Sequence, residues 1–202
     1  MVVASLSMSE MSVAPDRAIT ADLLGADYFT LLGLPQQFEV TTAALDERFR
    51  QLQREVHPDR FAAADDAARR ASMMLATQIN AAYQTLRSPL KRAIYLLELS
   101  GVDVGAESNT AMSPEFLMSQ MMWREQVADA RAAKDTAALA QLQTEISGDI
   151  RDAYADLAVS FNAPGNQDKD QLQDAVEGVR RLMFLEKLRE EIEDAVFALE
   201  DF

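Results

Sequence analysis

Cysteine is absent from this chain of 202 residues, and histidine occurs once, at position 57. The first absence removes disulfides, thiolate metal sites and cysteine nucleophiles together, and the second leaves too few ligands for an ordinary zinc site. No metal and no cofactor is expected. Long hydrophobic runs are also missing: no apolar stretch approaches the roughly 20 residues that span a bilayer. The first basic residue, Arg17, comes too late for the charged start of a secretory signal. These features predict a cytoplasmic chain with no membrane partner. Strand-like alternation of apolar and polar residues does not appear either, so the expected class is all-α.

Positive charge is scarce. The chain has 19 lysines and arginines against 33 acidic residues, for a net charge of -14. The first hundred residues are nearly balanced, with 10 basic and 12 acidic side chains, whereas the remainder carries 9 and 21. Binding a phosphate backbone needs clustered cations, so nucleic acid is not an expected partner. At 49% hydrophobic residues the chain has enough apolar material for one or two small cored domains. The acidity of the second half keeps such a protein in solution.

Most of the few glycines and prolines fall where helices would stop. Residues 1–25 mix Ser, Ala and Met without sustained periodicity and are expected as a disordered extension. A short helix in DYFTLLGLP is stopped by Gly33 and Pro35. Thr41 or Thr42 then offers a cap to a helix whose Leu45, Phe49, Leu52 and Val56 share one face. Pro58 ends it and pushes His57 out of the helical region. Asp65 and Asp66 suit the start of the next helix, with Ala71, Leu75, Ile79, Ala82 and Leu86 facing inward. A further helix in PLKRAIYLLEL closes at Gly101, and GVDVGAESNT reads as a linker. Three helices follow, from Ser113-Pro114 to about Ala133, from about Thr136 to Ser160, and from about Asp168 to the end, with NAPGNQD before the last. They predict a three-helix bundle.

Two antiparallel helices thus hold the stretch HPDRFAAA as a tip. A catalytic base at His57 needs a nucleophile and an orienting group, and no nucleophile signature occurs, so no catalytic residue and no enzyme is expected. An isolated His-Pro-Asp is a weak signal, ordinarily a turn histidine satisfying local backbone groups. Its neighbours change the reading. Arg50 and Arg54 lie four residues apart, opposite the apolar face, and make a basic surface leading to the tip.

Tyr28, Leu32, the amphipathic LDERFRQLQREV, the tripeptide His57-Pro58-Asp59 and the later INAAYQTL together resemble a J-domain. In that family the module lets DnaJ-type co-chaperones stimulate ATP hydrolysis by a DnaK-type partner. The resemblance implies that the tip and the basic face, Arg50, Arg54, His57, Pro58, Asp59 and Arg60, engage such a chaperone. Asp59 would accept charge-assisted hydrogen bonds, His57 supply a ring donor and Pro58 fix the turn. Arg60 stands where many J-domains carry lysine, which keeps the charge.

The helix SPEFLMSQMMWREQVADARAAKD carries two apolar stripes. At about 100° per residue, Phe116, Trp123, Val127 and Ala130 gather on one side with Gln120 among them. Leu117, Met118, Met121, Met122, Glu125 and Asp129 gather on the other. A bundle helix needs only one stripe for its core, so the second either packs against the first domain or is exposed. If exposed, methionines edged by carboxylates make an adaptable protein-binding face. In the last helix, Leu172, Val176, Val179 and Met183 share one side and Leu185, Leu188, Ile192 and Leu199 another, with Phe184 near the edge of the second group. Core packing alone would also explain Phe184.

From DYFTLLGLP through LRSPLKRAIYLL, FLMSQMMWRE and RLMFLEKLR, the chain resembles the HscB family of J-proteins, which serve bacterial iron–sulfur cluster assembly, over about residues 26–202. The resemblance implies that the J-domain recruits an HscA-like chaperone while the bundle holds an IscU-like scaffold protein. It assigns the scaffold contact to Leu117, Met118, Met121, Glu125, Asp129 and Phe184. Met122 stands where the family pattern implies an acid, a departure that removes part of the implied polar contact and for which an apolar contact could substitute. Eukaryotic members carry cysteine-rich N-terminal segments, and the lack of cysteine places this chain with the bacterial type. The expectation is a two-domain, elongated or L-shaped molecule: an extension at 1–25, a J-domain at 26–101, a linker at 102–112 and a scaffold-binding bundle at 113–202. The other readings are a general DnaJ-type co-chaperone for unfolded clients and a non-catalytic helical protein that self-associates.

Overall fold

The computed structural model describes residues 23–61, 65–105, 112–162 and 169–200. Of the segments expected to lack helix, residues 1–22, the tip's 62–64, the linker's 106–111 and the connector's 163–168 lie outside them. Among the described residues the helices of five or more residues are α1 (Tyr28–Leu32), α2 (Thr42–Glu55), α3 (Asp66–Arg87), α4 (Pro89–Leu99), α5 (Pro114–Ala133), α6 (Thr136–Asn162) and α7 (Lys169–Glu200). A 3-10 turn, Pro58–Phe61, follows α2. No strand occurs among the described residues, and the fold is all-α.

The chain divides into two compact units. The first holds α1 to α3. Asp27 caps α1, its carboxylate accepting from the amides of Phe29 at 2.8 Å and Thr30 at 3.1 Å. Gly33 closes α1 at φ 64°, a left-handed conformation that a side chain would strain. Arg48 Nε, reaching across from α2, donates to the carbonyl of Leu32 at 3.1 Å. Thr41 occupies the cap position of α2, but its side chain makes no capping bond. That helix is fixed instead by burial of Leu45, Leu52 and Val56 against Leu75, Ile79, Ala82 and Leu86 of α3 and Phe29, Leu31 and Leu32 of α1. Phe49 stacks on Tyr83 with centroids 4.0 Å apart, and the Tyr83 hydroxyl donates to Asp46 at 2.8 Å. Asp65 caps α3 as its position suggests, accepting from the Ala68 amide at 2.7 Å.

The second unit holds α4 to α7 together with Gln37–Glu39. Helix α4, which the sequence reading grouped with residues 26–101, packs here because Ala93, Leu96 and Leu97 are buried where α4 meets α7. Phe38 stacks on Phe161 with centroids 5.3 Å apart, under the Arg92 guanidinium. The core is the long contact between α6 and α7, with Leu139, Leu142, Ile146, Ile150 and Leu157 facing Val176, Val179, Leu182, Leu185, Leu188 and Ile192. Gly178 makes room for a side chain of α6: a Cβ there would lie 3.2 Å from Leu157 Cδ1. Helix α5 closes the bundle with Val127, Ala130 and Gln120, after Ser113 caps it through the Phe116 amide.

Candidate functional site

Each unit exposes one surface whose chemistry suits a partner. In the first unit α2 ends at Glu55, and Val56 turns the chain out, its amide still bonded to the Leu52 carbonyl at 3.0 Å. Ser72 of α3, itself buried, donates its hydroxyl to the Val56 carbonyl at 2.7 Å. That bond anchors the helix exit to α3, and the buried Phe61 anchors the other end of the turn. Between these anchors His57 and Asp59 stand open, their side chains 59% and 91% exposed. The Asp59 amide donates to His57 Nδ1 at 3.3 Å. With Nδ1 accepting, the neutral ring carries its proton on Nε2, a donor for an incoming group. The Asp59 carboxylate, 3.6 Å from the same nitrogen, keeps most of its acceptor capacity for a partner.

Arg50, Arg54, His57 and Arg60 line an open depression with Glu47 and Gln53. Arg50 pairs with Glu47 at 3.1 Å and Arg54 with the same carboxylate at 3.8 Å, on a well-exposed face. Pairs this exposed are worth at most about 1 kcal/mol, so a partner's carboxylate competes for either arginine at small cost. Arg60 Nη1 lies 3.5 Å from the Arg54 carbonyl, which turns its guanidinium back toward α2. Pro58, Arg50, Arg54, His57, Asp59 and Arg60 are thus contiguous through the turn and the outer face of α2.

In the second unit, α5 presents both of its stripes. Phe116 and Trp123 turn toward α7 and enclose Phe184: Phe116 meets it edge-on at 5.7 Å and Trp123 stacks on it at 6.1 Å. Arg124 lies over the Phe184 ring at 5.4 Å and Arg181 over Phe116 at 5.7 Å. The Trp123 indole N–H donates to Glu145 at 3.4 Å. On the other stripe Met118, Met121 and Met122 are 65%, 73% and 56% exposed, with Leu117 partly covered and Glu125 and Asp129 open to solvent. The second stripe is therefore a solvent face. Phe184 is half-buried, and its ring contacts are with Phe116, Trp123 and Arg124. The sequence pattern found both stripes but gave no sign that Phe184 would be clasped by Phe116 and Trp123, which requires knowing how α5 crosses α7. Ser72 was missed as well: a serine between alanine and methionine in a helix looks like a surface residue.

Among the described residues no group of three or more His, Asp or Glu side chains converges as a metal site, and no helix is long and apolar enough to cross a membrane.

A helix hairpin with a His-Pro-Asp turn whose His57 and Asp59 side chains are open to solvent, flanked by a basic helix face, defines a J-domain co-chaperone. The family model described as the DnaJ domain matches residues 27–95, and one described as the HSCB C-terminal oligomerisation domain matches residues 112–193. The chain is 49% identical over 178 residues to the co-chaperone protein HscB homolog of Azoarcus sp. (strain BH72), covering 88% of this chain and 98% of that one. The HscB homolog of Paraburkholderia xenovorans (strain LB400) matches with the same identity and coverage. Among solved structures, HscB from Vibrio cholerae superimposes with a TM-score of 0.73 at 37% identity, over 86% of this chain and 99% of that one. The human co-chaperone protein HscB gives 0.75 at 29% identity, over 89% and 83%. This chain belongs to the HscB family of co-chaperones.

Proposed function

We propose that this co-chaperone of iron–sulfur cluster assembly acts in the cytoplasm, without enzymatic activity of its own, by bringing an IscU-like scaffold protein to an HscA-like chaperone of the DnaK type. The His57-Pro58-Asp59 turn with Arg50, Arg54 and Arg60 contacts the chaperone and triggers its ATP hydrolysis. Leu117, Met118, Met121, Met122, Glu125, Asp129 and Phe184 hold the scaffold. The observation that carries this reading is the solvent-exposed methionine face on a helix that already has a separate stripe for its own core. Burying such a face against a client gains roughly 25 cal/mol per Å² of apolar surface, and thioether side chains adapt to the client's relief. Glu125 and Asp129 at its edge set orientation rather than affinity.

Titration of the scaffold into the full chain by calorimetry tests the reading. The native chain binds, and the Leu117→Ala, Met118→Ala, Met121→Ala triple variant, checked for helicity, binds about a hundredfold more weakly. Equal binding by both moves the client elsewhere, and no binding by the native chain removes the scaffold from the reading. The description of the C-terminal match as an oligomerisation domain favours a second reading, self-association through the same face. A Leu117→Ser, Met121→Ser variant that turns a native dimer into a monomer in light scattering would support it.

A further inference from the structure

Sulfur in this chain is carried by methionine alone. With no thiolate to intercept a two-electron oxidant, the exposed thioethers are its softest nucleophiles. Met118, Met121 and Met122 combine exposures of 65%, 73% and 56% with positions i, i+3 and i+4 on α5, so the three sulfurs share one patch of surface. The geometry points to this patch as a reversible methionine oxidation site through which peroxide withdraws the co-chaperone from its scaffold. The inference rests on the scaffold-binding role of the face and adds a control on it.

The chemistry balances without any further reactant. The methionine sulfur attacks the outer oxygen of hydrogen peroxide, an S–O bond forms as the O–O bond breaks, the thioether is oxidised to a sulfoxide, and the peroxide is reduced to water. Each event replaces an apolar contact with a strong dipole. A partner docking on the patch must then bury sulfoxide oxygens without donors to meet them, which weakens binding by at least about tenfold for the modified face. Leu117, the hydrocarbon member of the same stripe, does not react, so the whole response lies in the thioethers. Thiol-dependent methionine sulfoxide reductases return the sulfur to the thioether and restore the face. Cluster handover is thereby interrupted until the sulfoxides are reduced.

Two other groups of methionines serve as internal controls. Met73 and Met74 on α3 are both 61% exposed and lie outside the scaffold face. Met183 is partly covered on α7. The full chain is treated with graded hydrogen peroxide, which is removed before mixing, and is then mapped by peptide mass spectrometry and titrated with the scaffold. Met118, Met121 and Met122 gain oxygen before Met183, scaffold affinity falls by about tenfold or more, and treatment with both stereospecific reductases restores it. A Met73→Leu, Met74→Leu variant loses affinity under peroxide as the native chain does. In a Met118→Leu, Met121→Leu, Met122→Leu variant, whatever its starting affinity, peroxide changes nothing. Full oxidation of the three methionines with unchanged affinity overturns the inference and leaves the scaffold role standing, as does a loss that the reductases fail to reverse. Failure of the untreated native chain to bind the scaffold overturns both.

Discussion

Around His57 the exposed groups are imidazole, carboxylate and guanidinium, set on a turn whose two ends are anchored by Ser72 and Phe61. Along α5 the exposed groups are thioethers on unbranched stems. A pinned, charged turn has one shape and few acceptable partners, because a misplaced charge loses its hydrogen bonds and keeps its desolvation cost. A methionine face re-packs against whatever apolar relief it meets. In the function proposed above, the charged turn is a specific trigger and the methionine face an adaptable grip, and each half of that contrast is open to test.

The sharpest break would come at the tip. His57→Gln keeps a polar side chain but loses the ring donor and the Nδ1 bond to the Asp59 amide. Stimulated ATP hydrolysis by the chaperone is expected to fall by at least about tenfold, the worth of one or two charge-assisted hydrogen bonds, with scaffold affinity unchanged in calorimetry. Undiminished stimulation would mean that the turn is only a turn. The mirror experiment removes the grip. Truncating Leu117, Met118 and Met121 to alanine strips three contacts of about 1 kcal/mol each, so scaffold affinity falls by about a hundredfold. Stimulation of the chaperone measured without scaffold stays at the native level. Loss of both activities in either variant would dissolve the separation.

The trigger was the more legible half in the sequence. His57 falls before Pro58, and Leu45, Leu52 and Val56 recur on one helix face, so local rules alone place the histidine at an exit with arginines behind it. The two stripes of α5 were equally plain from helical spacing. Contacts between distant segments were not. Phe38 joins Phe161 and Arg92, and α4 packs on α7, through pairings dictated by tertiary packing rather than by periodicity. Gly178 looks like a helix breaker until Leu157 is seen against it. The capping bond expected of Thr41 is absent although the residue holds the right position, since a cap residue type permits the bond without enforcing its rotamer.

A smaller effect sharpens the account of how the turn is held. Ser72→Ala removes the donor to the Val56 carbonyl inside the first unit. It costs about 1 to 2 kcal/mol, the loss of one buried hydrogen bond with its acceptor left unpaired. In denaturant titration the first unit should unfold earlier. Amide exchange at Asp59 and Arg60 should quicken, while the second unit and scaffold affinity stay as they were. Equal loosening of both units would mean that this bond does not act locally.

The smallest effect tests the ground beneath the grip. Asp149 of α6 is half-buried. Burial raises its pKa above the ordinary carboxylate value, Arg181 pulls it back, and Glu145 and Asp152 push it up again. A carboxyl group whose folded pKa is raised favours protonation in the folded state. Its contribution is most favourable below the unfolded pKa and is lost as pH rises through the folded one. At neutral pH the ionised Asp149 therefore costs stability, and Asp149→Asn removes that cost. The melting temperature of the second unit should rise by something of the order of 1 °C at neutral pH, and the gain should shrink as the buffer is made acidic. Chaperone stimulation should not change, since the residue lies in the other unit from the tip. A lower melting temperature for the variant at neutral pH would show that the attraction of Arg181 outweighs burial. Asp149 would then be a brace for Arg181, and through it for the Phe116 ring that encloses Phe184.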